Sequence, residues 1–106
     1  MAEPKKIEVL VYRVGKPGVL ETINDDLKSL QALVCGYIEA YTLTPGITLI
    51  CNEEGRLRGF KPNREVKGGA SIVGDFFVCR KSSSGNMLSL TSKDVEKVRT
   101  LIEAQP

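Results

Sequence analysis

Alternating apolar and polar positions at the start of the chain predict a β-hairpin. Lys6–Val14 is rich in β-branched and aromatic residues, which favours a strand. Its apolar side chains point to both sides, so we expect an inner strand covered on both faces. The turn sequence Gly15–Gly18 leads into the short alternating run Val19–Ile23. That run is the expected hairpin partner of the first strand.

Two segments instead carry apolar residues at helical spacing. The first predicts a helix over residues 25–35, with Asn24 and Asp25 as good N-cap residues. The second predicts a helix over residues 92–104. It begins at the capping-box sequence Thr91–Asp94, whose hydroxyl and carboxylate each bind the other's backbone amide.

The middle of the chain predicts further strands. Tyr37–Leu43 and Ile47–Cys51 flank a Thr-Pro-Gly turn, which indicates a second hairpin. Ala70–Arg80 is predicted as one strongly apolar strand, in which Gly74 marks a bulge or a close backbone approach. Met87–Leu90 is a short strand candidate.

Between these strands lies a polar, turn-rich stretch. Arg56–Arg58 is predicted as a short extended piece, and Phe60–Arg64 as an irregular loop or a single helical turn. The chain of 106 residues fits one domain, residues 1–106. The expected fold is α+β, a mostly antiparallel sheet of about five to six strands with two helices.

Composition narrows the chemistry. The chain has no His, which removes the commonest general base and transition-metal ligand. Cys35, Cys51 and Cys79 are widely spaced and lie in apolar surroundings, so we expect buried free thiols in a reducing compartment. No metal site and no cofactor are predicted.

Charge and hydropathy restrict the partners. A formal charge of +2 is too small to favour nucleic-acid binding. The N-terminus is polar, and no apolar run approaches about 20 residues, so we expect no leader, no membrane partner and a cytoplasmic location. A homodimer is left open.

The best candidate surface is the polar stretch that follows Ile47–Cys51, since loops on a rigid scaffold often carry function. A basic concentration there could bind an anion or phosphate, with Arg64 as the forked donor and Asn63 reading an amide or base edge. The simpler interpretation is a solvated loop whose charges offset one another. The candidate binding residues are Asn52, Glu53, Arg56, Arg58, Lys61, Asn63 and Arg64, with Lys67 at the edge of the basic group.

Three carboxylates could carry acid–base chemistry instead. Glu53 and Glu54 are adjacent, but a Glu-Glu-Gly sequence is also an ordinary solvated turn. Asp75 lies within an apolar segment, where it either pairs with Arg56 or Arg58 or caps nearby amides. We expect structural roles for these groups and assign no catalytic residue.

Several motifs, taken in order along the chain, resemble one family. They are Leu-Gln-Ala-Leu-Val-Cys-Gly-Tyr-Ile-Glu (30–39), Leu-Ile-Cys-Asn-Glu-Glu-Gly-Arg-Leu (49–57), Pro-Asn-Arg (62–64), Ile-Val-Gly-Asp-Phe-Phe-Val (72–78) and Ser-Leu-Thr (89–91). The family is number 3846 among the domains of unknown function, found in phages, mobile elements and gut bacteria. Cys35 stands where the family pattern has a second glycine, and Asp75 where a proline is common. The resemblance attaches no activity, cofactor or catalytic residue.

The resulting hypothesis is a non-enzymatic binding protein of a phage or mobile element that acts in the host cytosol. It would counter a host defence by occluding a host protein or by sequestering a small anionic ligand such as a nucleotide signal. The alternatives are a small enzyme that uses Glu53, Glu54 or Asp75, and a weak nucleic-acid-binding accessory protein.

Overall fold

The computed structural model describes residues 5–66 and 71–102. Along the chain the elements are β1 (Lys6–Tyr12), β2 (Val19–Asn24), α1 (Leu27–Val34), β3 (Ile38–Thr44), β4 (Ile47–Asn52), β5 (Pro62–Glu65), β6 (Ser71–Val73), β7 (Phe76–Lys81), β8 (Met87–Leu88) and α2 (Ser92–Ile102). Six strands form one antiparallel sheet in the order β2-β1-β7-β4-β3, with β8 paired to β7. The predicted α+β architecture and both predicted hairpins are confirmed.

The sheet is covered on both faces, as the alternation in β1 predicts. Ile7, Val9 and Val11 are buried in the cluster that includes the apolar side chains of α1. Leu10 and Tyr12 are buried in a second cluster with the apolar side chains of α2. Burial of a large apolar side chain contributes about 1.5–3 kcal/mol. The two helices therefore lie on opposite faces, because each must bury its stripe against the sheet.

The N-cap of α1 lies further along the chain than predicted. Asp26 is the cap, and its Oδ1 accepts a hydrogen bond of 2.8 Å from the backbone amide of Ser29. Asn24 and Asp25 are wrong as caps because both are held by the segment Lys5–Lys6 at the start of β1. Asn24 pairs with Lys6 at the end of β2, and the amide of Asp25 donates to the carbonyl of Lys5.

The capping box of α2 is confirmed. The amide of Thr91 donates to Asp94 Oδ2 at 2.9 Å, and the amide of Asp94 donates to Thr91 Oγ1 at 3.1 Å. Arg80 of β7 also donates two hydrogen bonds to this carboxylate, at 2.6 and 2.8 Å. The box therefore both starts α2 and fixes it to the sheet. Residues 103–104 of the predicted helix lie outside the described residues.

The predicted single strand Ala70–Arg80 is wrong, because the chain turns at Gly74. Gly74 adopts φ +75°, and a Cβ there would lie 2.6 Å from Cδ2 of Phe60. The segment therefore divides into β6 and β7, which belong to different sheets. Ala70 itself lies outside the described residues.

The polar stretch before it also differs from its prediction. Arg56–Arg58 is not extended, because this segment folds into successive turns, with the amide of Arg58 donating to the carbonyl of Glu54. Within Phe60–Arg64, residues from Pro62 onward form β5, which pairs with β6 in a separate two-stranded sheet. That pairing is non-local, and local turn propensity gives no sign of it.

Candidate binding site

Asn52, the first of the predicted contact residues, is a structural amide at the end of β4. Its side chain is buried, with 6% exposed. Nδ2 donates to the carbonyl of Val34 at 3.0 Å, and Oδ1 accepts from the amide of Glu54 at 2.7 Å. Asn52 therefore ties the last turn of α1 to the loop after β4, and both ends of its amide are occupied.

Arg58 binds the same helix end. Its Nη1 donates to the carbonyl of Cys35 at 2.7 Å, and its guanidinium lies over the Phe60 ring, 5.0 Å from the centroid. Cys35 is exposed and left-handed, with φ +63°, so the prediction of three buried thiols is wrong for this residue. A Cβ on Gly36 would lie 2.7 Å from Nδ2 of Asn52 and 2.9 Å from Nη1 of Arg58. The junction thus needs a glycine there.

Asn63 and Arg64 join β5 to the rest of the fold. Nδ2 of Asn63 donates to the carbonyls of Tyr12 and Gly74, at 2.9 and 2.8 Å. Nη2 of Arg64 donates to the carbonyl of Lys16 at 2.8 Å, and the guanidinium lies over the Tyr12 ring at 5.6 Å. Both side chains fasten β5 to the end of β1 and the turn beyond it.

The other basic residues are dispersed. Nη2 of Arg56 donates to the carbonyl of Ser71 at 2.8 Å. Lys61 is exposed, and its side chain makes no hydrogen bond or ion pair within residues 5–66 and 71–102. Lys67 lies outside those ranges. The arginines at 56, 58 and 64 therefore each bind a different stretch of backbone, and the structure does not bring them together around one anion.

The three candidate carboxylates are likewise separated. Glu53 lines a cleft beside β3, and Glu54 is exposed on the turn. Oδ1 of Asp75 accepts a hydrogen bond from the amide of Val14 at 2.9 Å. Of the two predicted roles for Asp75, capping of a nearby amide is therefore the one observed. Asp75 lines a different cleft of about 220 Å³, next to Lys61.

Part of the predicted stretch lines a cleft beside β3. The cleft has a volume of about 560 Å³, within the range of small-ligand pockets. We call it the β3 cleft, and define it by its lining residues Glu39, Tyr41, Cys51, Asn52, Glu53, Gly55, Arg56, Leu57, Ser71, Ile72 and Val73. Strands β3 and β4 form its floor, and the turns after β4 together with β6 form its wall.

Apolar and acidic groups at the β3 cleft are left open to solvent. Leu57 is 88% exposed, and Tyr37, which precedes β3, is 65% exposed. Glu39 and Glu53 are exposed, and in the described part of the chain neither carboxylate makes an ion pair or a hydrogen bond. An exposed aromatic ring and an exposed leucine beside unpaired charges are typical of a contact surface.

The thiol in the cleft is not an activated nucleophile. Burial and, to a smaller extent, the negative charge of Glu39 together raise the pKa of Cys51 to about 11. The thiol, which lies 3.8 Å from the carbonyl oxygen of Glu39, is therefore protonated at neutral pH. Cys51 contributes apolar surface to the floor.

The cleft contains residues that sequence reasoning missed. Glu39 and Tyr41 alternate on a correctly predicted strand, so the alternation gave a signal for a shared face. Ser71 to Val73 could not be connected with them, because β6 is held at the cleft by contacts between distant segments: its pairing with β5, its packing against β4 and the hydrogen bond from Arg56 to Ser71. Within the described ranges, no group of three or more acidic, Cys or His side chains is arranged to hold a metal ion. Neither described helix is long and apolar enough to cross a membrane.

Comparison with known proteins identifies the family of this chain. The described architecture is a six-stranded antiparallel sheet with one helix on each face, next to the two-stranded sheet of β5 and β6. Residues 7–103 match the domain of unknown function DUF3846, and the chain belongs to that family. No curated protein and no solved structure matches the chain.

Proposed function

We propose that this protein works by binding, and that its partner is a segment of another protein held at the β3 cleft. The observation that carries the proposal is a cleft of about 560 Å³ whose lining includes the exposed side chain of Leu57, with a second exposed apolar residue, Tyr37, just before β3 in the chain. Exposed apolar surface of this kind is stabilised by an apolar partner, and aromatic residues are enriched where partners bind most strongly.

The charges of the cleft favour a protein partner over a nucleotide. Glu39 and Glu53 face the cleft without a cationic partner among the described residues, and a phosphate there would meet like charge. Arg56, the cationic group in the lining, already donates to the carbonyl of Ser71. Of the two modes of action expected from the sequence, occlusion of a protein therefore has more support than sequestration of an anionic signal.

Catalysis has less support than binding. Glu53 and Asp75 line different clefts, and Glu54 lines neither. A pair of carboxylates that acts on one substrate must reach the same reacting group, which side chains in different clefts do not. If the family occurs in phages and mobile elements, as expected from the sequence resemblance, a host protein is the first target to test.

The proposal is tested by titrating the isotope-labelled protein with a pool of random heptapeptides and, separately, with nucleotides and cyclic dinucleotides. We expect peptides at about 1 mM to shift the amide resonances of Glu39, Tyr41, Leu57 and Ile72. Leu57→Asp should weaken this binding at least about tenfold, since it places a charge on the exposed apolar contact.

Leu27 provides the matched control, because it is 59% exposed on α1, on the opposite face of the sheet. Leu27→Asp should leave peptide binding unchanged. The proposal is wrong if no peptide shifts the resonances of the cleft, if nucleotides shift them and peptides do not, or if the two leucine variants behave alike.

A further inference from the structure

One edge of the main sheet is open next to the β3 cleft. In residues 5–66 and 71–102, β3 has β4 as its strand neighbour on one side and no strand on the other. Ala40 and Thr42 are exposed along this edge. An edge strand offers unpaired amides and carbonyls to another chain unless Pro, Lys or a covering element blocks it. β3 contains neither Pro nor Lys.

The backbone register shows which groups face outward. The amide of Glu53 donates to the carbonyl of Tyr37 at 2.8 Å, which makes these two residues a hydrogen-bonded pair at the start of β3. Bonded and non-bonded pairs alternate along an antiparallel ladder. The backbone groups of Ile38, Ala40 and Thr42 therefore point away from β4, each with one donor and one acceptor at the free edge.

The side chains next to this edge define what would pair with it. Glu39 and Tyr41 lie on the face that carries the cleft, since they pair with Cys51 and Leu49. Glu39 lies on the edge strand itself, Glu53 is bonded to Tyr37 just before it, and both line the cleft without a cationic partner among the described residues. The alternate side chains of an added strand would lie on the opposite face, beside the half-buried Ile38 and the exposed Ala40.

The other edge strand, β2, lacks this combination. Its carboxylate, Glu21, is already paired with Arg13, and that arginine lowers the pKa of Glu21. Glu21 thus has its charge satisfied within the chain, whereas Glu39 does not. Charge complementarity therefore selects β3 as the edge that receives a basic partner.

From this register we infer that β3 receives an extended segment of another protein, which adds to the sheet as a further strand and alternates basic with apolar side chains. Its backbone would bond to Ile38, Ala40 and Thr42, and its basic side chains would lie against Glu39 and Glu53. This inference rests on the proposed function and specifies the class of partner for the same site.

The test uses an alternating lysine–valine heptapeptide as the probe, together with an alternating glutamate–valine peptide. Ala40→Pro removes one outward amide, and edge strands tolerate proline. We expect it to weaken binding of the lysine peptide at least about tenfold. The matched control is Thr22→Pro, which lies at an outward, exposed position of β2 and should change the affinity by less than about twofold.

A second measurement leaves the protein unchanged. A lysine–valine peptide that is N-methylated on alternate residues loses its donors on one edge, and methylation on the set that faces β3 should weaken binding at least about tenfold. Glu39→Gln together with Glu53→Gln should weaken binding several-fold in about 50 mM salt and much less in about 500 mM salt.

The outcomes separate this inference from the proposed function. If peptides shift the cleft resonances but Ala40→Pro and N-methylation have no effect, strand addition is wrong and binding at the cleft stands. If the glutamate peptide binds as well as the lysine peptide, the charge assignment is wrong. If the protein dimerises with concentration and Ala40→Pro abolishes the dimer, a second copy occupies the edge and the inference is overturned.

Discussion

Replacing Asn52 tests whether the predicted contact residues hold the fold together. Asn52→Ala removes two hydrogen bonds, from Nδ2 to the carbonyl of Val34 and from the amide of Glu54 to Oδ1. Each such bond contributes about 1 kcal/mol net, and a buried partner left unsatisfied costs about 1–3 kcal/mol. Because the side chain is only 6% exposed, water does not readily replace it.

We therefore expect Asn52→Ala to lower the free energy of unfolding by about 3 kcal/mol, a large share of the roughly 5–15 kcal/mol of an ordinary domain. For a chain of 106 residues this corresponds to a fall in Tm of about 12 °C, at about 4 °C per kcal/mol. Urea unfolding followed by far-UV circular dichroism measures the change, with the m-value as a check on two-state behaviour.

Glu53→Ala is the neighbouring control. Its side chain is exposed and makes no bond within the described ranges, so the free energy of unfolding should change by less than about 0.5 kcal/mol. The same variant should weaken peptide binding at the β3 cleft, which Glu53 lines. If Asn52→Ala lowers the free energy of unfolding by less than about 1 kcal/mol, the two hydrogen bonds of Asn52 at the end of α1 do not stabilise the fold as we describe.

Three further outcomes follow from the structure. Cys35→Gly should raise the free energy of unfolding by about 0.5–1 kcal/mol, because a left-handed backbone strains any side chain there; an unchanged urea midpoint would contradict this. A thiol reagent should label Cys35 rapidly in the folded protein, and Cys51 and Cys79 only after denaturation. The latter two thiols are buried, and burial raises the pKa of each to about 11. Rapid labelling of all three thiols in native buffer would contradict this burial. The hydrogen bonds from Arg80 hold the pKa of Asp94 below its ordinary value. The ionised carboxylate therefore stabilises the fold above about pH 4, and this contribution is lost as the pH falls further. Asp94→Asn should flatten the dependence of the unfolding free energy on pH between about 5 and 2, and an unaltered slope would refute the assignment.

Local sequence patterns specify those parts of the fold whose partners are close along the chain. The capping box at Thr91–Asp94 is correct because its two hydrogen bonds join residues three apart. The hairpin of β3 and β4 is correct because its turn lies between two alternating runs. The family pattern also has a physical basis at Cys35, where a glycine would adopt the observed left-handed backbone without strain.

The sequence pointed to the stretch after β4 as a candidate surface, but it did not indicate which side chains would meet there. The stretch after β4 does border a cleft, and Asn52, Glu53 and Arg56 do line it. The three arginines that suggested an anion site bind backbone carbonyls distant in sequence, Arg56 at 15 residues, Arg58 at 23 and Arg64 at 48. The sequence shows that a basic side chain is present, but only the tertiary structure shows which hydrogen-bond acceptor it binds.

The sequence by itself determined the two-sided sheet, the helix over Ser92–Ile102 and family membership, since each depends on spacing along the chain. Only the tertiary structure decided that Pro62–Glu65 is a strand, and that the open edge of β3 lies beside Leu57 and two unpaired carboxylates within the described residues. The physical reason is the range of the interactions. Alternation and caps act over a few residues, whereas strand pairing and cleft formation join segments whose approach no local preference encodes.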